Sequence, residues 1–343
     1  MKAAVVGAGS WGTTLANVLA QNGMEVALWA RRPELAEEIR IYRENKTYLP
    51  GVEISDSIDV SSDLEKVIYG SDFVVMVVPS HSMSAICRQI GKYIKDEAII
   101  ISASKGLEID TLRRMSQILS DELPSHFSER IAVLSGPSHA EEVSKKLPTT
   151  VVAASTRRHV AEQLQDIFMN AYFRVYTNPD VIGVELGGAL KNIIAICSGI
   201  SDGLGFGDNT RAALMTRGIV EITRLGVKLG ANPATFGGLS GIGDLIVTCS
   251  SSYSRNRRAG IEIGRGKTVK EVIESTKMVI EGINTTKAAY ILANNLNIEM
   301  PITEQAYAVL FENKNPLEAV STLMRRQGKH EIEEMVFEKS LEW

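Results

Sequence analysis

The chain has 343 residues, of which 44% are hydrophobic and 23% are charged. This composition excludes collagen-like and disordered architectures, because both need a strongly biased residue usage. The 37 Lys and Arg residues face 41 Asp and Glu residues, and the net charge of −4 argues against a nucleic-acid partner, which needs a basic surface. The length predicts about two domains.

The compartment is indicated by the cysteines and the N-terminus. Cys87, Cys197 and Cys249 are too far apart for a disulfide framework or a zinc site, which fits a reducing environment. The N-terminal apolar run is short and broken by glycine, so it is typical of a first strand and not of a signal peptide. No apolar run is expected to reach the ~20 residues of a membrane span. We therefore expect a cytoplasmic protein with no membrane partner.

Short runs rich in valine and isoleucine alternate with helical stretches in the first half of the chain. Such runs, apolar without alternation, are typical of strands buried on both faces, and the intervening helices predict a parallel, doubly wound (Rossmann-type) α/β sheet. The predicted strands span residues 3–6, 26–29, 73–78, 98–102, 131–134 and 149–154, and the first connecting helix spans 10–22.

The pattern changes near residue 180, where apolar residues begin to follow helical spacing. We therefore predict a Rossmann-type domain over 1–180 and an all-α domain over 181–343. The glycines at 203–208 predict a turn between two helices. Further predicted helices span 268–275, 285–294, 302–311, 316–325 and 332–338.

The segment Gly7-Ala8-Gly9-Ser10-Trp11-Gly12 follows the first predicted strand and opens a helix. In that context, glycines allow a tight turn, close approach of the backbone to a pyrophosphate, and close packing of helix on sheet. The N-terminus of the helix then attracts the anion. A plain strand–helix turn is the alternative interpretation.

The end of the second strand bears on which dinucleotide binds. NAD sites usually place a carboxylate there, whereas this chain has Arg31 and Arg32. Two guanidinium groups can pair with a 2′-phosphate, so NADP(H) is expected to bind and NAD(H) is not excluded. Alternatively, the two arginines are solvated residues that precede a helix.

Two further segments begin where predicted strands end, which is the ligand-binding edge of an open α/β sheet. They place Lys105 and Ser138 within reach of a substrate, while Gly136 and the backbone near Ala140 leave room for the nicotinamide. His81 and His139 lie in similar loops, but neither has a spaced carboxylate that would indicate a dyad.

Lys191 lies on a predicted helix that has small residues on its preceding turn. Close approach of another element would desolvate the ammonium, and desolvation favours proton transfer near neutral pH. A lysine that extends from the edge of an apolar stripe to solvent is the alternative, and periodicity alone favours it. Asp244 is either the N-cap of a helix or a partner that orients Lys191 or a substrate hydroxyl.

Ser254, Arg255 and Asn256 together provide a hydroxyl, a guanidinium and an amide that can satisfy several oxygens of one phosphate. A basic surface for nucleic acid is the alternative, but aromatic residues are few there and the net charge is negative. A small phosphorylated substrate is therefore expected. No HExxH motif or Cys/His cluster is present, so no metal is predicted.

Taken together, these segments resemble the bacterial, soluble NAD(P)-dependent glycerol-3-phosphate dehydrogenases. The resemblance is carried by GAGSWGT, ENKTYLPG, SASKGLE, SGPSHAEEV, VELGGALKNIIAICSGISDGLGFGDNTRAAL, GLSGIGDLIVTCSSSYSRNRRAG and VIEGINT. It implies reversible reduction of dihydroxyacetone phosphate to sn-glycerol 3-phosphate, the precursor of glycerophospholipids. It also implies a C-terminal domain like that of 6-phosphogluconate dehydrogenase, and a homodimer.

The resemblance assigns roles to individual residues, with Lys191 as the proton donor and acceptor. The implied substrate-binding residues are Lys105, Gly136, Ser138, Lys191, Asp244, Ser254, Arg255 and Asn256, and Asn192 and Thr248 are further candidates. The implied cofactor-binding residues are Ser10, Trp11, Arg31, Arg32, Lys105, Ala140, Arg255, Val279 and Glu281, beside the motif glycines Gly7, Gly9 and Gly12. Another lysine-using β-hydroxyacid dehydrogenase and a non-catalytic NAD(P)-sensing module remain alternatives.

Overall fold

The computed structural model describes residues 1–276, 278–328 and 330–331. The chain forms two compact units. Unit 1 comprises Met1–Lys105 and Arg113–Val181, and unit 2 comprises Gly106–Leu112 and the chain from Ile182 onward. The predicted helix over 332–338 lies outside the described residues.

Unit 1, all of whose residues are described, is built on an eight-stranded sheet in the order β10-β9-β8-β7-β6-β1-β2-β5. The sheet strands are β1 (Lys2–Val6), β2 (Glu25–Trp29), β5 (Ile58–Ser61), β6 (Phe73–Met76), β7 (Ile99–Ser102), β8 (Ile131–Ser135), β9 (Thr149–Ala154) and β10 (Phe173–Asn178), while β3 (Glu44–Asn45) and β4 (Leu49–Glu53) form a small antiparallel pair. The helices are α1 (Ser10–Gln21), α2 (Pro33–Tyr42), α3 (Leu64–Ile68), α4 (Met83–Ile90), α5 (Met115–Glu122), α6 (Ala140–Val143) and α7 (Arg158–Phe168).

The central strands are buried on both faces. In β1, Ala3 and Val5 pack into one hydrophobic core, and Ala4 and Val6 pack into a second core on the other side. This arrangement explains why the strand sequences are apolar without alternation. The predicted Rossmann-type α/β class is confirmed.

Two features of the sheet differ from the prediction. The edge strands β5 and β10 were missed, because their residues alternate between buried and exposed and therefore lack a continuous apolar run. The pair β8–β9 is antiparallel, whereas the other neighbours in the sheet are parallel.

From Ile182 onward, the secondary structure of the described residues of unit 2 is helical, which confirms the predicted all-α class. Its helices are α8 (Val181–Gly203), α9 (Asp208–Lys228), α10 (Pro233–Phe236), α11 (Asp244–Ser250), α12 (Arg255–Gly264), α13 (Val269–Glu274), α14 (Glu281–Leu296), α15 (Pro301–Phe311) and α16 (Pro316–Met324), with a π-helical turn at Leu239–Gly243. The glycines at 203–208 connect α8 and α9, as predicted.

Helix α8 is the longest described helix of unit 2. The expectation that no segment reaches membrane-spanning length is wrong here, because the 23 residues of α8 are long and apolar enough to cross a bilayer. However, 89% of its most apolar window is buried inside the protein, as in the core helix of a soluble protein. Its hydrophobicity is therefore explained by packing.

Candidate active site

The glycine-rich loop of unit 1 connects β1 to α1 and requires two of its glycines for geometric reasons. Gly7 has a φ of +123°, and a Cβ there would lie 2.5 Å from the Val77 carbonyl oxygen. A Cβ at Gly12 would overlap the Gly7 carbonyl. A Cβ at Gly9, in contrast, would meet no atom within 4 Å, so the loop leaves open space above this residue.

The loop is held by a buried asparagine that the sequence analysis did not identify. Asn45 donates hydrogen bonds from Nδ2 to the Ala8 carbonyl at 3.0 Å and to Thr13 Oγ1 at 2.9 Å. Gly9 is the N-cap of α1 and supplies no side-chain cap, so the first N–H groups of the helix are left for a ligand. This open, preorganised loop fits the pyrophosphate of a dinucleotide.

At the end of β2, Arg31 and Arg32 are both exposed. Arg32 is the N-cap residue of α2, and its guanidinium carbon lies 6.0 Å from the ring centroid of Tyr48. Residues 30–32, which connect β2 to α2, include no carboxylate that would repel a 2′-phosphate. Both arginines are therefore accessible to the adenosine end of a dinucleotide.

The ends of β7 and β8 converge on the Gly136 carbonyl. Lys105 Nζ donates to it at 2.9 Å, and Ser138 Oγ donates to it at the same distance. Gly136 itself has a φ of +132°. Two residues beyond Ser138, Ala140 begins helix α6, whose position is fixed by the bond between Thr14 and Ser144 (2.9 Å).

In unit 2, Lys191 lies on α8 and only 5% of it is exposed. Its ammonium forms an ion pair with Asp244, which is 1% exposed, and donates to Thr248 Oγ1 at 2.8 Å. A buried charge of this kind is tolerated only when it is paired, and here the carboxylate offsets the cost of desolvation. The Lys191 side chain does not extend to solvent, so the alternative interpretation that periodicity favoured is wrong.

Asp244 reaches Lys191 because the backbone before it comes very close to α8. Gly187 lies one turn before Lys191, and a Cβ at Gly187 would lie closer than 3.0 Å to the Ser240 carbonyl oxygen. The π-helical turn that contains Ser240 leads directly into α11, of which Asp244 is the first residue. The N-cap position itself is taken by Gly243, which leaves the Asp244 carboxylate for Lys191.

Thr248 shares a face of α11 with Asp244 because it lies one turn further along the helix. Its hydroxyl donates to the Asp244 carbonyl at 2.6 Å while accepting from Lys191. Pattern analysis missed this role, although the spacing of four residues between Asp244 and Thr248 was a usable signal. The neighbouring Cys249 is buried, and burial raises the pKa of its thiol to about 12, which disfavours the thiolate.

The proposed phosphate-binding residues lie at the N-terminus of α12. Ser254 caps the helix by accepting from the Arg257 backbone N–H at 3.2 Å, and Arg255 is exposed. The Asn256 amide donates to Asn192 Oδ1 at 2.8 Å and accepts from the Gly282 N–H at 2.9 Å. This buried amide thus connects α12 both to the helix of Lys191 and to the start of α14.

The remaining predicted residues of unit 2 adjoin the same region. Arg255 Nη1 donates to the Val279 carbonyl at 3.4 Å, and Glu281 is the first residue of α14. Within unit 2, direct contacts therefore link Lys191 with Asp244 and Thr248, Asn256 with Asn192, and Arg255 with Val279. Among the residues that the structure describes, no group of three His, Cys, Asp or Glu side chains is arranged to hold a metal ion.

Comparison with known proteins gives matches along both units. Residues 2–161 match the family described as NAD-dependent glycerol-3-phosphate dehydrogenase N-terminus, and residues 180–321 match its C-terminus. The chain is 54% identical over 334 residues to a glycerol-3-phosphate dehydrogenase (NAD(P)⁺) of Pelotomaculum thermopropionicum, covering 97% of this chain and 96% of that one. It is 56% identical over 330 residues to the protein of the same description from Moorella thermoacetica, covering 96% and 97%.

A solved structure gives the same answer. The crystal structure of glycerol-3-phosphate dehydrogenase from Coxiella burnetii superposes with a TM-score of 0.91 at 39% sequence identity, covering 95% of this chain and 99% of that chain. Matches of this extent in sequence and in structure establish the family. The chain belongs to the NAD-dependent glycerol-3-phosphate dehydrogenase family.

Proposed function

We propose that this chain reduces dihydroxyacetone phosphate reversibly to sn-glycerol 3-phosphate with NADPH or NADH. Membership of the family makes it an NAD(P)-dependent oxidoreductase. The observation that carries the proposal is the buried Lys191–Asp244 pair on a helix that is bonded, through Asn192, to the N-terminus of α12. The proposed proton donor and the proposed oxyanion-binding segment are thereby held at fixed positions relative to each other.

We assign cofactor binding to unit 1 and substrate chemistry to unit 2. The loop from Gly7 to Gly12 would hold the pyrophosphate, and Arg31 and Arg32 would bind the adenosine 2′-phosphate when it is present. The support is the open space above Gly9 and the two exposed guanidinium groups. When bound, the reduced nicotinamide supplies the hydride that the carbonyl carbon accepts.

Lys191 would provide the proton of the reduction. The ketone oxygen becomes an alkoxide as the carbonyl carbon is reduced, and a proton delivered from Lys191 Nζ avoids a free oxyanion. Asp244 and Thr248 fix the ammonium in position, so Lys191 loses little conformational entropy when the substrate binds. In the oxidation direction, Lys191 accepts the proton back.

Ser254, Arg255 and Asn256 would hold the substrate phosphate. A guanidinium and the N-terminus of α12 attract the same dianion, and each favours a negative group at this point. The binding energy of the phosphate, which is remote from the reacting carbon, can be used to orient the carbonyl. Lys105, Gly136 and Ser138 would complete the substrate-binding set from unit 1.

The cellular setting follows from the product. sn-Glycerol 3-phosphate is the backbone precursor of glycerophospholipids, so we propose a role in phospholipid synthesis in the cytoplasm. We further propose a homodimer, as the family resemblance implies. Light scattering on the purified chain would show twice the monomer mass, and a monomer mass at working concentration would contradict this assembly.

The test of the proposed function is loss of reduced-cofactor absorbance that depends on dihydroxyacetone phosphate, with NADPH and NADH assayed side by side. Turnover is expected with at least one cofactor. If folded protein binds the dinucleotide but oxidises it with neither cofactor, the proposal fails, and 3-hydroxyacids become the next substrates to assay. Dihydroxyacetone without phosphate serves as the matched control substrate.

A further inference from the structure

Arg257 follows the proposed phosphate-binding residues directly and is held at three points. Its backbone N–H donates to Ser254 Oγ at 3.2 Å. Its carbonyl oxygen lies so close to α8 that a Cβ at Gly199 would be within 3.0 Å of it. Its guanidinium reaches back to α8 and forms an ion pair with Asp202 at 2.7 Å.

Asp202 is the point at which two arginines from different helices meet. Oδ2 accepts from Arg257 Nε at 2.8 Å, and Oδ1 accepts from Arg211 Nη2 at 2.7 Å. The Asp202 side chain is 11% exposed, and those of Arg257 and Arg211 are 17% and 25% exposed. Charge-assisted hydrogen bonds are strongest in such partly desolvated settings. Asp202 therefore ties α12 and the first turn of α9 to α8.

The backbones of α8 and α12 cross at glycines. Gly199 of α8 faces Gly260 of α12, and a Cβ on either would come within 3.0 Å of the other helix's backbone. Such a crossing fixes how closely the helices approach, but it presents no directional side-chain bond. Rotation and sliding of α12 against α8 are therefore opposed by one polar contact on each side of the crossing. These contacts are Asn192 with Asn256 and Asp202 with Arg257.

We propose that Asp202 is a positioning residue for the phosphate-binding segment at Ser254–Asn256. Asp202 acts through Arg257 and sets the position of the first turn of α12 relative to Lys191. Asp202 and Lys191 both lie on α8, about 16 Å apart along the helix axis. This inference rests on the proposed function. It predicts that loss of the Asp202 contact affects phosphate recognition before it affects proton transfer or the cofactor.

The experiment compares Asp202→Asn with wild type in steady-state kinetics. We expect KM for dihydroxyacetone phosphate to rise about tenfold while kcat and KM for NADPH stay within about twofold, because misplacement of a positioned group weakens its own contact first. Arg257→Gln should give a rise in the same direction, and it leaves Asp202 paired with Arg211, so no buried charge loses all its partners. This second variant decides the matter if Asp202→Asn fails to fold.

Glu262→Gln is the matched control. Glu262 lies on the last turns of the same helix α12 and pairs with Arg265 and Lys267 near the surface. It should leave all three kinetic constants unchanged. A purely structural role for Asp202 would lower the melting temperature with no change in KM for dihydroxyacetone phosphate, and that outcome would overturn the proposal. A fall in kcat together with a rise in both KM values would overturn it as well. Absence of turnover in the wild type would instead refute the proposed function.

Discussion

The residues that we assign to cofactor binding in unit 1 and to substrate chemistry in unit 2 use different kinds of chemical group. In unit 1 the loop from Gly7 to Gly12 presents backbone N–H groups, and the neighbouring Lys105 and Ser138 both donate to a backbone carbonyl. In unit 2 the groups are side chains on separate helices, and the central pair of Lys191 and Asp244 is a buried ion pair. The shape of the glycine loop in unit 1 depends mainly on backbone geometry, whereas the Lys191–Asp244 pair in unit 2 depends on a contact between side chains far apart in the sequence.

This difference has energetic consequences. A glycine loop fails when a side chain blocks it, so its sensitivity is steric and local. A buried ion pair fails when one partner is removed, because the other is left charged and desolvated. Unit 2 should therefore respond strongly to removal of charge and to pH, whereas the loop of unit 1 should respond to added volume.

The largest expected effect is that of Lys191→Met. Removing the proton donor should lower kcat for dihydroxyacetone phosphate by about a thousandfold, within the range typical of general acid–base catalysis. Dinucleotide binding, measured by fluorescence titration, should stay within about twofold, because we assign dinucleotide binding to the loop of unit 1. Lys228→Met removes an exposed lysine of the same unit and serves as the matched control. Equal loss of turnover and dinucleotide binding would mean that Lys191 is structural.

The second prediction concerns another buried charge of unit 2, Glu221 on α9. Its carboxylate accepts from the Ile302 and Thr303 backbone N–H groups at 2.6 and 3.2 Å, and it therefore caps α15. Burial nevertheless raises the pKa of Glu221 to about 7 from its ordinary value of 4.5. The native state thus binds an extra proton between these values, so the contribution of Glu221 to stability is greatest below pH 4.5 and falls as pH rises towards 7.

Chemical denaturation at several pH values measures this effect on Glu221→Gln, which resembles the protonated acid. The free energy of unfolding of the wild type should fall relative to the variant by up to about 3 kcal/mol between pH 4.5 and 7. Glu262→Gln, at an exposed ion pair, should show no such divergence. Parallel curves for wild type and Glu221→Gln would mean that the helix N–H groups keep Glu221 ionised throughout.

The third prediction tests the steric side of the comparison. Gly12→Ala places a methyl group against the Gly7 carbonyl, and we expect dinucleotide affinity to fall about a hundredfold together with a lower melting temperature. In Gly9→Ala the added methyl group meets no atom within 4 Å, so this variant should keep the wild-type melting temperature and lose affinity only. If both variants lowered the melting temperature equally, the loop would be strained for reasons other than the Gly7–Gly12 contact.

The same contrast explains which parts could be predicted from the sequence. The loop glycines lie within six residues of one another and follow a strand, so a local pattern was enough to predict the loop. The partner of Lys191 lies 53 residues away, and the Asp202–Arg257 pair spans 55 residues, so no local pattern reveals either contact. The sequence analysis offered Asp244 as a partner of Lys191 only beside an N-cap alternative, and resemblance added Thr248. Neither supplied Asn45, whose contact with the loop arises from a separate hairpin.

The smallest expected effect is at Arg31, where unit 1 uses a charged side chain at the surface. In Arg31→Ser, the ratio of kcat/KM with NADPH to that with NADH should fall about tenfold, since a charge-assisted contact to the 2′-phosphate is lost while the pyrophosphate site is intact. Arg40→Ser removes an exposed arginine of the adjacent helix α2 and should leave the ratio unchanged. Equal weakening with both cofactors would place Arg31 at a group that the two dinucleotides share. Preservation of the ratio would leave Arg32, beside Tyr48, as the residue that discriminates between them.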